Sequence, residues 1–542
     1  MSSTFNGIYL GRSGVQAARS NLDVTGQNIT NENTPGYTRQ RVNQCSVPPT
    51  SIDMLYAQTG AIVGEGVSTI GVTQLRNPFL DGQYRTQNAK CGLSSTQLSA
   101  LEDIEDALNE SKTDGISAAY SALIKQLEGL TATGSSTATE STVKEAASLL
   151  ATKFNTAASS LETIRSEQYK NLKDSGISKV NDLLNNIAGL SDQIKDADIA
   201  GTPALELLDE RNTMIDELSQ YVNIKVVETP IKVDANKSVD QLSIFVSDSN
   251  GDITKSPTFD TKGKKVDNSK EVCLINGNKA GNLSLSGSST KQHADVIITD
   301  VDGLACGSTA DSSNSLLEGG KLNGYLDLVN DSGEYDSPKT SRGIGYYEKM
   351  LDTVAQKLAS VLNADNSTND AGDNKPIFTD SSGKTNHITA ATIRVAEKWD
   401  DPKYSEGYLT LSKDDANAAD DSSGSNSNIS KMITDLTIAN YTLYTPGNKV
   451  GLFSGTMQEA VDNLSNTLGL DIDSINSQET ANSTTLNNIE TRRESLSSVD
   501  INEEVSNLMI YNQSLAASAR FMTTVDECLQ TIINNMGIVG RG

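Results

Sequence analysis

The side chains that could carry chemistry are few and scattered. The chain has two histidines, His293 and His387. Both sit among polar, turn-forming residues, where a surface position is expected. A Ser-His-Asp or Cys-His nucleophile needs a histidine on which other groups converge, and no motif surrounds either one. Five cysteines, Cys45, Cys91, Cys273, Cys306 and Cys528, are far apart and odd in number. With no Cys-x-x-Cys and no Cys/His cluster they predict neither a disulfide framework nor a zinc site. They read as unpaired thiols, most of them packed as small hydrophobes. Val63-Gly64-Glu65-Gly66-Val67 has no helix after it, so it reads as a turn between strands and not as a phosphate cradle. Asp370, Asp373 and Asp414-Asp415 could hold calcium loosely, but no twelve-residue loop ending in Glu frames them. The expectation is therefore no catalytic residue, no metal and no cofactor.

Charge narrows the partners. Lys+Arg 44 against Asp+Glu 70 gives a net charge of −26. Such a surface repels phosphate backbones, so no nucleic-acid partner is expected. The acid is unevenly spread. Residues 1–85 hold six arginines (Arg12, Arg19, Arg39, Arg41, Arg76, Arg85) against five carboxylates, so nearly all the negative charge lies beyond them. The near-neutral N-terminal segment reads as a surface meant to be covered. No window approaches 18 apolar residues, so no membrane span is expected. Met1 to Gly14 lacks the basic and apolar regions of a cleaved secretion signal.

The elements that must position such surfaces are helical at both ends. At 542 residues the length predicts roughly three or four domains. A hydrophobic share of 36% predicts thin, helical cores. Ile8, Val15, Leu22 and Ile29 recur every seven residues, with Gly11, Ala18 and Thr25 three places after the first three, which is a narrow heptad stripe. That helix must stop before Pro35, and Asn33-Thr34-Pro35-Gly36 reads as a turn. Near the other end Val505, Leu508, Asn512, Leu515, Ala519, Met522, Leu529 and Ile533 alternate at spacings of three and four, with the polar Asp526 in the one slot between Met522 and Leu529. Asp500 is its expected N-cap, with Glu503 three residues on, and Gly537 its expected stop. The stripes fit each other, neighbouring copies, or both. Asn512 is either a register-setting seam residue or simply exposed.

Between the ends, 88–128 and 140–198 read as long helices, followed by a shorter one opened by Pro203 and a strand at Ile224–Val227. Residues 230–317 read as a small β domain with polar turns. Helix is expected again at 346–362, 430–444 and 455–497, with 364–429 turn-rich. The expected fold is thus α+β: an elongated, multidomain chain with coiled-coil-like helical terminal and flanking parts, an inserted small β domain, and both termini together. Its units would be 1–70 plus 500–542, 71–229 plus 318–499, and 230–317.

Specific stretches are recognisable. Asn28-Ile29-x-Asn31-x-Asn33-Thr34-Pro35-Gly36-Tyr37 resembles the N-terminal signature of bacterial flagellar axial proteins, and Thr38-Arg39-Gln40 after it is similar to the hook-associated branch. Arg76-Asn77-Pro78-Phe79-Leu80-Asp81-x-Gln83-Tyr84-Arg85 resembles that family's second block. Leu207-Leu208-Asp209-Glu210-Arg211-Asn212 is similar to a motif of the hook-associated protein 1 family. Gly324 to Leu328, Val499 to Glu504 and Ala516 to Arg520 look like further family blocks.

The resemblance implies a structural protein of the hook–filament junction that assembles helically through its terminal helices and is not an enzyme. The partners it implies are hook protein and hook-associated protein 3 on either side, copies of the chain itself, and a flagellar export chaperone. It implies an extracellular location, reached through the flagellar type III channel without a cleaved signal. The alternatives are hook protein or hook-associated protein 3, or a secreted enzyme or adhesin carried on a flagellar scaffold.

Overall fold

A computed structural model describes residues 6–48, 64–108, 115–133, 136–234, 237–260, 264–288, 293–306, 316–330, 342–366, 375–404, 407–410, 427–444 and 451–536. Asp370, Asp373, Asp414, Asp415 and Gly537 lie outside them. The fold is mixed α and β, dominated by long helices. Helix α1 (Asn6–Thr30) leads into a two-stranded antiparallel ribbon, β1 (Gln40–Ser46) and β2 (Val67–Gln74). Helix α2 (Pro78–Leu108) starts at a proline, the one position where its missing N–H costs nothing. Helices α3 (Ile116–Thr133) and α4 (Thr137–Lys170) follow.

A π-helical turn, Asn171–Ile177, joins α4 to α5 (Ser178–Ala200) without a break. This rod runs about 90 Å at 1.5 Å per residue, so the molecule is elongated. Gly201, left-handed at φ +81°, ends it. Helix α6 (Leu205–Tyr221) then feeds two antiparallel sheets. One is ordered β3 (Ile224–Asp234), β4 (Lys237–Val246), β7 (Cys273–Asn276), β8 (Lys279–Ala280). The other is ordered β6 (Lys265–Glu271), β5 (Lys255–Phe259), β11 (Ala305–Cys306), β10 (His293–Thr299), β9 (Asn282–Ser288). The return path holds α7 (Gly320–Asn330), α8 (Ile344–Asp365), the short pair β12 (Phe378–Thr379) and β13 (Arg394–Val395), and α9 (Ser427–Thr437). The hairpin β14 (Asn440–Tyr444) and β15 (Gly451–Thr456) precedes α10 (Met457–Ser497) and α11 (Ile501–Met536).

Two hydrophobic cores result. The first gathers α2, α3, α4, α8, α9 and the start of α10 around Tyr120, Leu150, Phe154, Tyr347 and Leu464. The second gathers α5, α6, α7 and both larger sheets around Leu184, Ile215, Ile244, Leu274 and Leu326. The rod threads both, with Leu150 and Leu161 in the first and Leu172 and Ile177 in the second.

Several expectations shift. The helix read at 88–128 is two helices, α2 and α3, the first starting ten residues earlier at Pro78. Residues 440–444 are strand and not helix, because Tyr-Thr-Leu-Tyr alternates and pairs with β15. Of the five thiols only Cys273 and Cys306 are buried; Cys45 and Cys528 are exposed. Burial pushes the Cys273 and Cys306 thiols up to about 11.

Candidate assembly interface

The two chain ends pack on each other as an antiparallel helix pair. A Cβ on Gly7 would stand 3.0 Å from Val525, one on Gly11 2.3 Å from Met522 Cγ, and one on Gly14 2.8 Å from Ser518 Oγ. The small side of the α1 stripe therefore lies innermost: Gly11, Ala18 and Thr25 are buried, while Ile8, Val15, Leu22 and Ile29 are half-buried beside them. On α11 the heptad splits in two. Leu508, Leu515, Met522 and Leu529 are half-buried. Val505, Asn512, Ala519 and Ile533 are exposed in the single chain, Val505 by 46% and Ile533 by 69%.

A polar clamp fixes this pair to the body. Asn28, 1% exposed, sits in the last turn of α1. Its Nδ2 donates to the Gln40 carbonyl (3.0 Å), and its Oδ1 accepts from the Gln40 N–H (3.0 Å) and the Tyr37 hydroxyl (2.9 Å). One amide thus folds the chain back on itself. The intervening turn needs Gly36, left-handed at φ +80°, where a Cβ would lie 2.4 Å from Thr213 Oγ1 on α6. Asn31 Oδ1 accepts from the Thr34 hydroxyl, and Asn33 and Pro35 are exposed. Burial, then the carboxylates of Asp209, Glu206 and Glu504, push the Tyr37 hydroxyl up to about 12.

Arg39 joins the ends directly. Its Nε lies 2.7 Å from Glu504 Oε1 and its Nη1 2.9 Å from Glu503 Oε2. The Arg39 N–H donates to the Ser497 carbonyl (2.8 Å). Asp500 caps α11 through the Asn502 N–H (2.8 Å), while Glu503 is taken by Arg39 instead of closing a capping box. Burial raises the Asp209 carboxyl against the Thr38 N–H that donates to it (3.0 Å).

The blocks at residues 28–40, 76–85 and 207–212 converge here from far apart in the chain. Asp209, Asn212 and Asp216 lie on one face of α6 at helical spacing. Asp209 meets Thr38 and Arg76, and Arg76 also meets Asp81. Asp216 bridges Arg85 (2.8 Å) and Arg493 (2.6 Å), and the Arg493 guanidinium lies 4.0 Å over the Tyr84 ring. Between them lies a groove of about 690 Å³, lined by Glu32 to Thr38, α6 and the end of α10. Sequence reading passed over Asp216 and Arg493. The step of seven from Asp209 marks Asp216; nothing local marks Arg493. Among the described residues no group of three His, Cys, Asp or Glu could hold a metal ion.

Two chain ends closed into a long helix pair, clamped to an elongated body and open along one side, make up the candidate assembly surface. Residues 101–376, just over half of the chain, match the family described as flagellar hook-associated protein FlgK helical domain, and residues 8–38 match the flagella basal body rod protein family. The chain belongs to the flagellar hook-associated protein FlgK family. It is 28% identical to flagellar hook-associated protein 1 of Bacillus subtilis over the whole of both chains. It is 28% identical to flagellar hook-associated protein 1 of Salmonella typhimurium over 40% of this chain and 38% of that one. The solved structure of the flagellar hook junction protein FlgK from Burkholderia pseudomallei is 19% identical, with a TM-score of 0.37 over 56% of this chain and 45% of that one.

Proposed function

We propose that this chain is a structural subunit at the junction of flagellar hook and filament, not an enzyme, assembled through α1 and α11. The observation that carries this reading is the half-used heptad of α11: one row meets α1, while Val505, Met509, Ile510, Phe521 and Ile533 remain exposed. A 36-residue helix with so much apolar surface is suited to burial by neighbours. The units are 1–70 plus 500–542 innermost, 71–229 plus 318–499 around them, and 230–317 outermost, with β3 crossing the last boundary. Hook protein and hook-associated protein 3 lie on either side, and a flagellar chaperone holds the chain before type III export. The deciding experiment deletes the gene and images the flagella. Bare hooks with filament subunits lost to the medium are expected; missing hooks or normal filaments would overturn the assignment.

Most of α11 is exposed in the free chain, so the ordering entropy of the terminal pair is poorly offset. The pair opens transiently in the monomer and stays closed in the assembly. Amide exchange checks this: α1 and α11 exchange faster in the monomer than in flagella, and equal protection in both states removes the idea.

A further inference from the structure

We propose that neighbouring copies meet with the outer stripe of α1 from one copy lying in the open row of α11 of the next, Arg12 and Arg19 along its Ala519–Asp526 stretch. This rests on the assembly reading above and names the surfaces it uses. On α1 the residues turned outward are Tyr9, Arg12, Gln16, Arg19 and Asp23, at spacings of three and four and all exposed. Neither Arg12 nor Arg19 has an ion-pair partner among the described residues. On α11 the open row is Val505, Asn512, Ala519, Asp526 and Ile533, at spacings of seven and all exposed. Asp526 likewise has no ion-pair partner among the described residues.

The two rows are complementary in three ways. Seven residues rise about 10.5 Å on either helix, so the arginine pair matches the Ala519–Asp526 repeat. Small Ala519 and Asn512 leave room for a long side chain to lie along the row. The cations face the row that carries an unpaired anion, and the apolar residues Tyr9 (62% exposed), Val505 and Ile533 can close over the ends. Arg19 cannot reach Asp526 within one chain. Val525 lies beside Gly7, twelve residues or about 18 Å along α1 from Arg19. The stripe and the row are different surfaces, so the contact is heterologous and propagates from copy to copy.

The test complements a deletion strain with the unsubstituted chain, R12E/R19E, D526R, or the triple variant. Filament-bearing hooks are counted by electron microscopy, and the protein is measured in purified flagella and in the medium. Circular dichroism and melting of each purified variant match the unsubstituted chain, because all three side chains are exposed. Each charge reversal lowers filament-bearing hooks by at least about tenfold, since like charges across a contact are strongly disfavoured, and the protein accumulates in the medium. The triple variant returns the count to within about twofold. Reversed variants that build normal filaments would overturn the pairing. So would a triple variant no better than its parents, and so would loss from R12E/R19E alone, which assigns the arginines to a different flagellar component. Failure of the unsubstituted chain to restore filaments overturns the assembly reading itself.

Discussion

Asn28 shows what a signature residue does physically. Its one amide makes three contacts at 1% exposure, so truncation strands both backbone groups of Gln40. Asn28→Ala is expected to cost about 2–4 kcal/mol, and Tyr37→Phe, which removes one donor, about 1 kcal/mol, by denaturant unfolding. Arg39 sets up a sharper contrast. Its side-chain partners differ in exposure, 3% for Glu504 and 57% for Glu503. Arg39→Ala leaves Glu504 buried without its cation and destabilises docking of α11 by about 3–5 kcal/mol. Glu503→Gln costs less than about 1 kcal/mol. Amide exchange in α11 measures both, and equal effects would refute the buried-charge account. The Asn-Thr-Pro-Gly-Tyr turn was legible in the sequence because Pro and Gly fix backbone geometry locally. Asp209, which bonds Thr38 beside the turn, was not legible as its partner, because pairing across 171 residues leaves no local trace.

At the scale of elements, heptad spacing located α1 and α11 but could not say which row meets which helix. Periodicity gives the faces of a helix, not their occupants. The tight contact is made by the small residues: a side chain at Gly11 would collide with Met522. Gly11→Val is expected to splay the pair and destabilise it by about 1–3 kcal/mol, seen as lost protection in both helices with the two cores unaffected. Acid acts on the same unit. The hydrogen bonds and charge of Arg39 hold the Glu503 carboxyl below its usual range. A depressed folded pKa means that stabilisation is complete above the ordinary glutamate pKa and is lost as pH falls through the lower value. Acidification through the carboxylate range therefore weakens α11 docking by less than about 1 kcal/mol, because Glu503 is 57% exposed. Amide exchange in α11 followed against pH measures this, and loss of all α11 protection at that step would refute it. The 88–128 misreading has an equally plain cause: α2 and α3 both carry a helical pattern, and the reading ran one into the other.

For the whole molecule, two cores strung on one rod predict that unfolding is not a single step. Leu150→Ala in the first core and Ile244→Ala in the second each remove a side chain with 0% exposure. Each should cost about 2–5 kcal/mol and move a different calorimetric transition. One shared transition would mean that the rod couples the cores fully. The nested layout was legible because composition changes twice along the chain. The sharing of the second core between sheets and helices was not, since apolar residues in strands do not name what covers them.

The bond between Arg39 and Glu504 joins residues 465 positions apart, and α1 closes on α11 over a still longer span. A chain cut short anywhere in its body has no second helix to offer. The surface that α1 and α11 share therefore exists only when both are present, and the helix pair reports the completeness of its own chain.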